Sequence, residues 1–457
     1  MSDISDSDVG ALEDVRREQP RLEALVRRIL EEADSSGATA AEVGVSHDTG
    51  LSVSVRKGEI ETVEFNRDRG FGITVYFGQR RGSASTSDSG DKAIRDTVRA
   101  ACNIARFTEE DAFSGLAEAE LMPDPASAPE LDLYHPWDIA VEEAESLALE
   151  CEARALGFDE RIGNSEGANA GTSQGCRVYG NSHGFIGGYC STRHGLNCAV
   201  IASEGDDMQR DHWYTVARDA GKLESAAAVG DKAGERAVAR LGARPIDTRQ
   251  APVVYVAEIA GGVLGHFIAA VSGGALYRKA SFLLDALGKQ IFPTHITIDE
   301  RPLLPGAMAS AWFDGDGVAT RPKAFVRDGV LESYSLGTYS ARQLGMETTG
   351  NAGGVHNLFI STGGKSRTEL LRAMDTGFLV TELMGMGVNM VTGDYSRGAA
   401  GFWIENGEIQ YPVQGVTIAG NLAEMFKGIV EIGADVDTRG NVQTGSILIE
   451  EMTIAGN

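Results

Sequence analysis

VGVSH (43–47), LSVSVRKGEI (51–60), ETVEFNR (61–67) and FGITVYFG (71–78) follow one another almost without a break, each alternating apolar with polar residues. A period of two sends successive side chains to opposite faces of an extended backbone, so these segments read as strands with one buried and one wet face. Turn chemistry falls between them at Asp48–Gly50, Lys57–Gly58 and Asp68–Gly70, which predicts an antiparallel meander. Upstream the period changes. In residues 11–33, Leu12, Val15, Leu22, Leu25, Val26, Ile29 and Leu30 recur at steps of three and four among charges, the pattern of an amphipathic helix.

Downstream, helices are expected at about 91–105, 137–156 and 223–241. Between the first two lies the proline-containing stretch LMPDPASAPELDLYHP (121–136), suited to an extended connection. Short strands are expected around 166–170, 174–181, 185–193, 196–204 and 206–218. A hinge containing Pro245 is placed at 242–250. Beyond it the signal is mostly strands with glycine turns, plus helices at about 259–271 and 367–376 and a third at 422–430. Helices and strands are grouped instead of strictly alternating, which points to an α+β class. The fold expected is an N-terminal antiparallel sheet with helices followed by a strand-rich C-terminal domain. The subdomains are placed at 1–125, 126–245 and 246–457.

The chain has 457 residues and a formal net charge of −25, a balance that disfavours nucleic acid and anionic membranes, both of which select clustered Lys and Arg. No apolar run approaches the length of a membrane-spanning helix, and MSDISDSDVG lacks the basic-then-apolar pattern of a signal peptide, so a cytoplasmic location is expected. The five cysteines, without a C-x-x-C pair, favour reduced thiols.

Several motif fragments carry no chemistry. Gly364-Lys365-Ser366 has Phe359 where a phosphate-binding loop needs its first glycine. G-x-S-x-G occurs at GNSEG (163–167), GTSQG (171–175) and GNSHG (180–184), but a nucleophile elbow needs a strand-to-helix turn, so these read as hairpin turns. His183, His194 and His212 do not share a metal-ligand spacing.

The decisive segment for function is VVYVAEIAGGVLGHFIAAV (253–271), an apolar helix with one imidazole, His266. Zinc hydrolases hold the ion with paired histidines on a helix and use a neighbouring carboxylate as base. Together with SGGALYRKASFLLDALGKQ (272–290), TGDYSRGAAGFWIENGEIQYPV (392–413) and the ending MTIAGN, this segment resembles the PmbA/TldE branch of the TldD/PmbA family over most of the chain. In the TldD branch, the resemblance implies, the helix carries His-Glu-x-x-x-His and a cysteine near the C-terminus completes the site. Those helix positions fall here at Glu258, Ile259 and Val263, and all five cysteines lie in the first half of the chain, the last being Cys198. Neither Ile259 nor Val263 can supply a base or a ligand. Read without the resemblance, Ala260, Gly261 and Gly262 mark a structural helix packed closely on a sheet.

No catalytic or metal residue is therefore assigned to this chain. His266, Arg278, His356, Asp394, Tyr395 and Arg397 are candidates for lining a cavity. The resemblance implies a subunit of a cytoplasmic metallopeptidase without a cofactor of its own. It would pair, as a heterodimer or larger assembly, with a TldD-like subunit that carries zinc, and act on unfolded or extended peptides. A second reading makes the chain a metallopeptidase in its own right using Glu258, His266 and His356. A third makes it a regulatory protein-binding chain, in line with the family's older label of gyrase modulator.

Overall fold

The structure, a computed structural model, describes residues 14–456, so Leu12 and the start of the first expected helix lie outside the described residues. The chain divides into two compact units. The first runs to Val238 and includes Trp312–Ala319; the second comprises Ala239–Ala311 and the chain from Thr320 onward.

In the first unit, helix α1 (Gln19–Ser35) precedes β1 (Ala40–Arg56), β2 (Glu59–Phe77) and β3 (Arg80–Thr86), followed by α2 (Asp91–Phe107) and α3 (Val141–Leu156). Then come β4 (Ile162–Asn181), β5 (Ile186–Glu204), β6 (Asp207–Ala217) and α4 (Ala226–Ala239). The strands form one antiparallel sheet in the order β3-β2-β1-β4-β5-β6. Strand β1, from the first expected subdomain, therefore pairs directly with β4, from the second.

Two of the three turn signals are not turns. Only Lys57–Gly58 closes a hairpin, and the backbone N–H groups of Lys57 and Gly58 donate to the buried carboxylate of Glu152 on α3 at 2.9 and 2.8 Å. Asp48–Gly50 and Asp68–Gly70 run on as strand, because both neighbours of β1 pair with it through this point: Thr49 lies opposite Arg67 on one side and Gln174 on the other. Ladders on both sides of β1 satisfy its backbone groups, so they outweigh a local turn preference there and keep β2 in register beside it. The same holds for G-x-S-x-G. Its first two copies lie inside β4, and only the third forms a turn, at Asn181–Gly184. The five short strands expected here are three long ones.

Alternation along these strands buries one face under helices. Val43, Val45, Ile73, Val75, Cys176 and Val178 pack with Leu22, Val26 and Ile29 of α1 and Ile94, Val98 and Ala101 of α2. Each fully buried Val or Ile contributes about 1.5–3 kcal/mol. Cys176 and Cys190 sit directly opposite on β4 and β5 and are joined as a disulfide, which corrects the expectation of five reduced thiols. Fourteen residues separate them in sequence, and only the strand register brings them together.

The second unit contains β7 (Arg249–Tyr255), α5 (Ala257–Ala270), α6 (Gly273–Tyr277), β8 (Ile298–Glu300), β9 (Lys323–Arg327) and β10 (Val330–Leu331). It continues with α7 (Thr338–Leu344), β11 (Leu358–Ile360), α8 (Arg367–Met374), β12 (Gly377–Met384), β13 (Asp394–Glu405) and β14 (Glu408–Asn421). Last come α9 (Leu422–Lys427), β15 (Ile429–Ile432), β16 (Val442–Gln443) and β17 (Ile447–Ala455). One sheet has the order β10-β9-β8-β11-β16. The other runs β14-β13-β12-β7-β17-β15, and β14 also pairs with β17, so the ladder returns on itself. The mixture of helices and largely antiparallel sheets is the expected α+β class. Ser366 and Glu369, next to the incomplete phosphate-loop fragment, form a capping box at the start of α8.

Candidate functional site

Helix α5 follows the central strand β7, and its length and apolar character were legible in the sequence. Its first backbone donor, Ala257 N–H, is met by Ser446 Oγ at 3.2 Å, and that hydroxyl donates to Asp435 Oδ2 at 2.7 Å. The helix buries Ala260, Val263, Leu264 and Phe267, spaced at three and four residues. Its glycines do not mark the close packing expected of them. A Cβ on Gly261 would meet Val442 at an ordinary 3.7 Å, and at Gly262 and Gly265 it would meet nothing within 4 Å.

A zinc site does not fit the motif positions. Glu258, in the first turn, lies near Arg367 at 3.9 Å. Ile259 is half-buried and packs against both apolar clusters beside the helix, while Val263 is 1% exposed in the core. Two of the three positions are thus committed to hydrocarbon packing, and beyond Cys198 the chain has no thiolate. Among the described residues no group of three or more His, Cys, Asp or Glu side chains is arranged to hold a metal ion.

The C-terminal half of α5 is different. His266 meets Tyr395 edge to face at 5.8 Å between ring centroids. Burial, helped by the nearby Arg397 charge, holds the imidazole below its ordinary pKa, favouring the neutral ring. Alternation on β13 places Tyr395 and Arg397 on one face and Asp394 on the other. Tyr395 is buried, and burial raises its hydroxyl pKa against the pull of Tyr255 and Arg397. Tyr255 is held well above the usual tyrosine range by burial and then by Tyr395. Arg397 Nε donates to Gly385 O at 2.9 Å. His266, Tyr395 and Arg397 therefore lie together, joined by Tyr255, which sequence reasoning did not single out.

The remaining candidates lie elsewhere in the unit. Asp394 accepts from Thr392 Oγ1 at 2.6 Å and Asn421 Nδ2 at 3.4 Å, fastening a turn. The Arg278 guanidinium stands over the Tyr277 ring at 5.2 Å. His356 belongs to a buried network around Glu300, whose side chain is fully buried. One carboxylate oxygen accepts from His356 N at 2.7 Å, from Asn351 Nδ2 at 2.9 Å and lies 3.1 Å from His356 Nδ1. The other lies 2.5 Å from Lys323 Nζ, which also donates to Thr349 O at 2.8 Å. Burial pushes the Glu300 carboxyl upward, but the His356 and Lys323 contacts prevail and hold it below the usual range. Glu300 and Lys323 carried no sequence signal, since their partners come from distant parts of the chain.

In the first unit, alternation places His194 and His212 on opposite faces of the sheet. His194 is buried, with Nδ1 2.8 Å from Thr172 Oγ1 and Nε2 2.8 Å from His135 O. His212 faces the other way and stacks on Tyr214.

Comparison with known proteins bears on this arrangement. Three descriptions of the PmbA/TldA metallopeptidase match in series: domain 1 over residues 41–105, the central domain over 134–241 and the C-terminal domain over 248–456. Metalloprotease PmbA of Escherichia coli O157:H7 is 50% identical over 437 residues, spanning 94% of this chain and 97% of that protein. A Metalloprotease PmbA homolog of Haemophilus influenzae is 48% identical over 446 residues, spanning 97% and 98%. Among solved structures, a Bacteroides thetaiotaomicron protein described as a modulator of DNA gyrase superposes with a TM-score of 0.91 at 27% identity, over 96% of this chain and 100% of that one. TldE of Thermococcus kodakarensis shares the fold, with a TM-score of 0.79 at 21% identity over 95% and 100% of the two chains.

Proposed function

This chain belongs to the PmbA/TldD family of metallopeptidases, and on that premise we propose that it is a non-catalytic subunit of a TldD/TldE-type peptidase. The observation that carries the reading is the N-terminal half of α5, where the hydrocarbon of Ile259 and Val263 occupies positions at which a zinc peptidase needs a base and a ligand. A TldD-like partner would supply the zinc. This chain would shape the space in which an extended peptide is held, in the cytoplasm. The backbone edge of β2 is suited to holding one. Among the described residues, 59–70 pair with β1 on one side only, and β3 takes up the other side only from Phe71. Unpaired donors and acceptors along such an edge can add a strand from an extended peptide.

The alternative ligand set of Glu258, His266 and His356 finds no support, because His266 is engaged with Tyr395 and His356 with Glu300. The regulatory reading is left to experiment. Elemental analysis of the purified chain, with peptide cleavage by the chain alone and mixed with a TldD-like partner, tests the proposal. We expect no stoichiometric zinc, no cleavage alone and chelator-sensitive cleavage in the mixture. Stoichiometric zinc with cleavage by the lone chain overturns it. A chain that ignores the partner in gel filtration and leaves its activity unchanged is the regulatory binder instead.

A further inference from the structure

The helix-free face of the first unit's sheet holds a cavity of about 690 Å³ whose walls include Asp48, Asp68, Gly50, Ser173, Asn169 and Arg193. Asp48 and Asp68 are directly opposite on β1 and β2. Neither makes an ion pair or side-chain hydrogen bond among the described residues. Like charges placed directly across a ladder are destabilising. The Asp48 carboxylate rests over Gly175, at the place where any Cβ would clash with it, so the lack of a side chain there makes room for the charge on this face. Arg193, exposed on β5, is likewise without an ionic partner among the described residues.

The register fixes the spacing of these charges. Asp48 is opposite Gly175 on β4, Gly175 is opposite Ser191 on β5, and Arg193 lies two residues beyond Ser191 on the same face. With neighbouring strands about 4.8 Å apart, the acidic pair and Arg193 are separated by roughly 12–16 Å. Gly50 and Ser173 leave the floor between them low. An extended chain advances about 3.3–3.6 Å per residue, so about three or four residues span this distance.

We propose that this trough binds a short peptide by both free ends, the α-ammonium between Asp48 and Asp68 and the α-carboxylate on Arg193. That the ligand is a peptide rests on the proposed function; that it carries opposite charges at this spacing rests on the sheet. Two adjacent carboxylates suit an ammonium, which has three donors, and a guanidinium forks onto a carboxylate. Short peptides with free ends are what a peptidase releases.

Calorimetric titration of the purified chain tests this with tetra-alanine, its N-acetylated form and its C-terminal amide. The free peptide is expected to bind saturably, and each blocked form about tenfold more weakly, as loss of one charge-assisted contact implies. Asp68→Asn should weaken the free peptide about tenfold and leave the acetylated form unchanged, while Arg193→Gln should do the same with respect to the amide. Both variants are checked for unaltered circular dichroism and for a thermal midpoint no lower than that of the unmodified chain. Equal affinity for all three peptides, or no binding of tetra-alanine at millimolar concentration, overturns the proposal on the unmodified protein alone. No partner or metal enters the measurement, so its outcome and that of the cleavage assay are independent.

Discussion

Glu300 in the second unit and the Asp48–Asp68 pair in the first are all carboxylates carried by sheets, yet their surroundings treat the charge in opposite ways. Glu300 is fully buried and saturated by Lys323, His356 and Asn351. Asp48 and Asp68 face each other across a ladder and line an open cavity. The first arrangement holds the glycine-rich loop at 350–357 against β8, and its charge is used up internally. The second retains repulsion that folding does not need, leaving its charge available to a ligand. A satisfied buried network thus points to architecture, and an unsatisfied one on an open face points to binding.

Breaking the saturated network should have the largest effect. Lys323→Met leaves the Glu300 charge uncompensated in the core and is expected to lower stability by about 3–5 kcal/mol in denaturant unfolding. Pairing it with Glu300→Gln should recover part of that loss. A cost below about 1 kcal/mol for Lys323→Met would show that the network is not what holds this loop.

Glu152 extends the comparison to the first unit, where a buried carboxylate is also saturated, here by the N–H groups of Lys57 and Gly58. Glu152→Ala should cost about 2–3 kcal/mol, since hydrogen bonds to a charged group contribute about 1.5–3 kcal/mol. Faster amide exchange at the tip of the β1–β2 hairpin should accompany it.

The pH dependence sharpens the contrast further. The folded pKa of Glu300 lies below the ordinary 4.5, so its contribution is fully present above that value and is lost as the pH falls through the folded one. Glu300→Gln should flatten the acid limb of the stability profile. The sign for His266 is that of a depressed histidine: the unfolded chain takes up the proton first, so stability declines as the pH falls below the ordinary 6.5. His266→Gln should remove that decline, leaving the loss below 4.5 in place.

The smallest effect has the opposite sign. Asp68→Asn relieves the repulsion with Asp48 and should raise stability by about 0.2–1 kcal/mol, visible as a slightly higher midpoint in denaturant unfolding. Stabilisation together with weaker tetra-alanine binding would mark the pair as retained for function. Destabilisation would instead mean that Asp68 has a structural partner, and would break the comparison.

Parts of the candidate site were legible before the structure. Asp394, Tyr395 and Arg397 were singled out together in the sequence, and only alternation on β13 separates Asp394 from the other two, while His266 stood out as the one imidazole of an apolar helix. That Ile259 and Val263 can serve neither as base nor as ligand was also readable, because no environment makes a hydrocarbon side chain a base. Tyr255, Glu300 and Lys323 were not readable: each is defined by neighbours remote in sequence. Asp48 and Asp68 were misread as turn residues, since short-range preference says nothing about a ladder that continues past them.

By itself the sequence determined the α+β class, the helix stripes, the family resemblance and the lack of metal chemistry at the motif positions, all of which depend on residue chemistry and local period. The tertiary structure decided that four of the expected turns are strand interiors, that Cys176 meets Cys190, that Glu300 is neutralised and that two aspartates face each other on an open sheet face. The reason is physical: period and chemistry belong to consecutive residues, whereas register, burial and charge compensation depend on which distant segments the fold brings side by side.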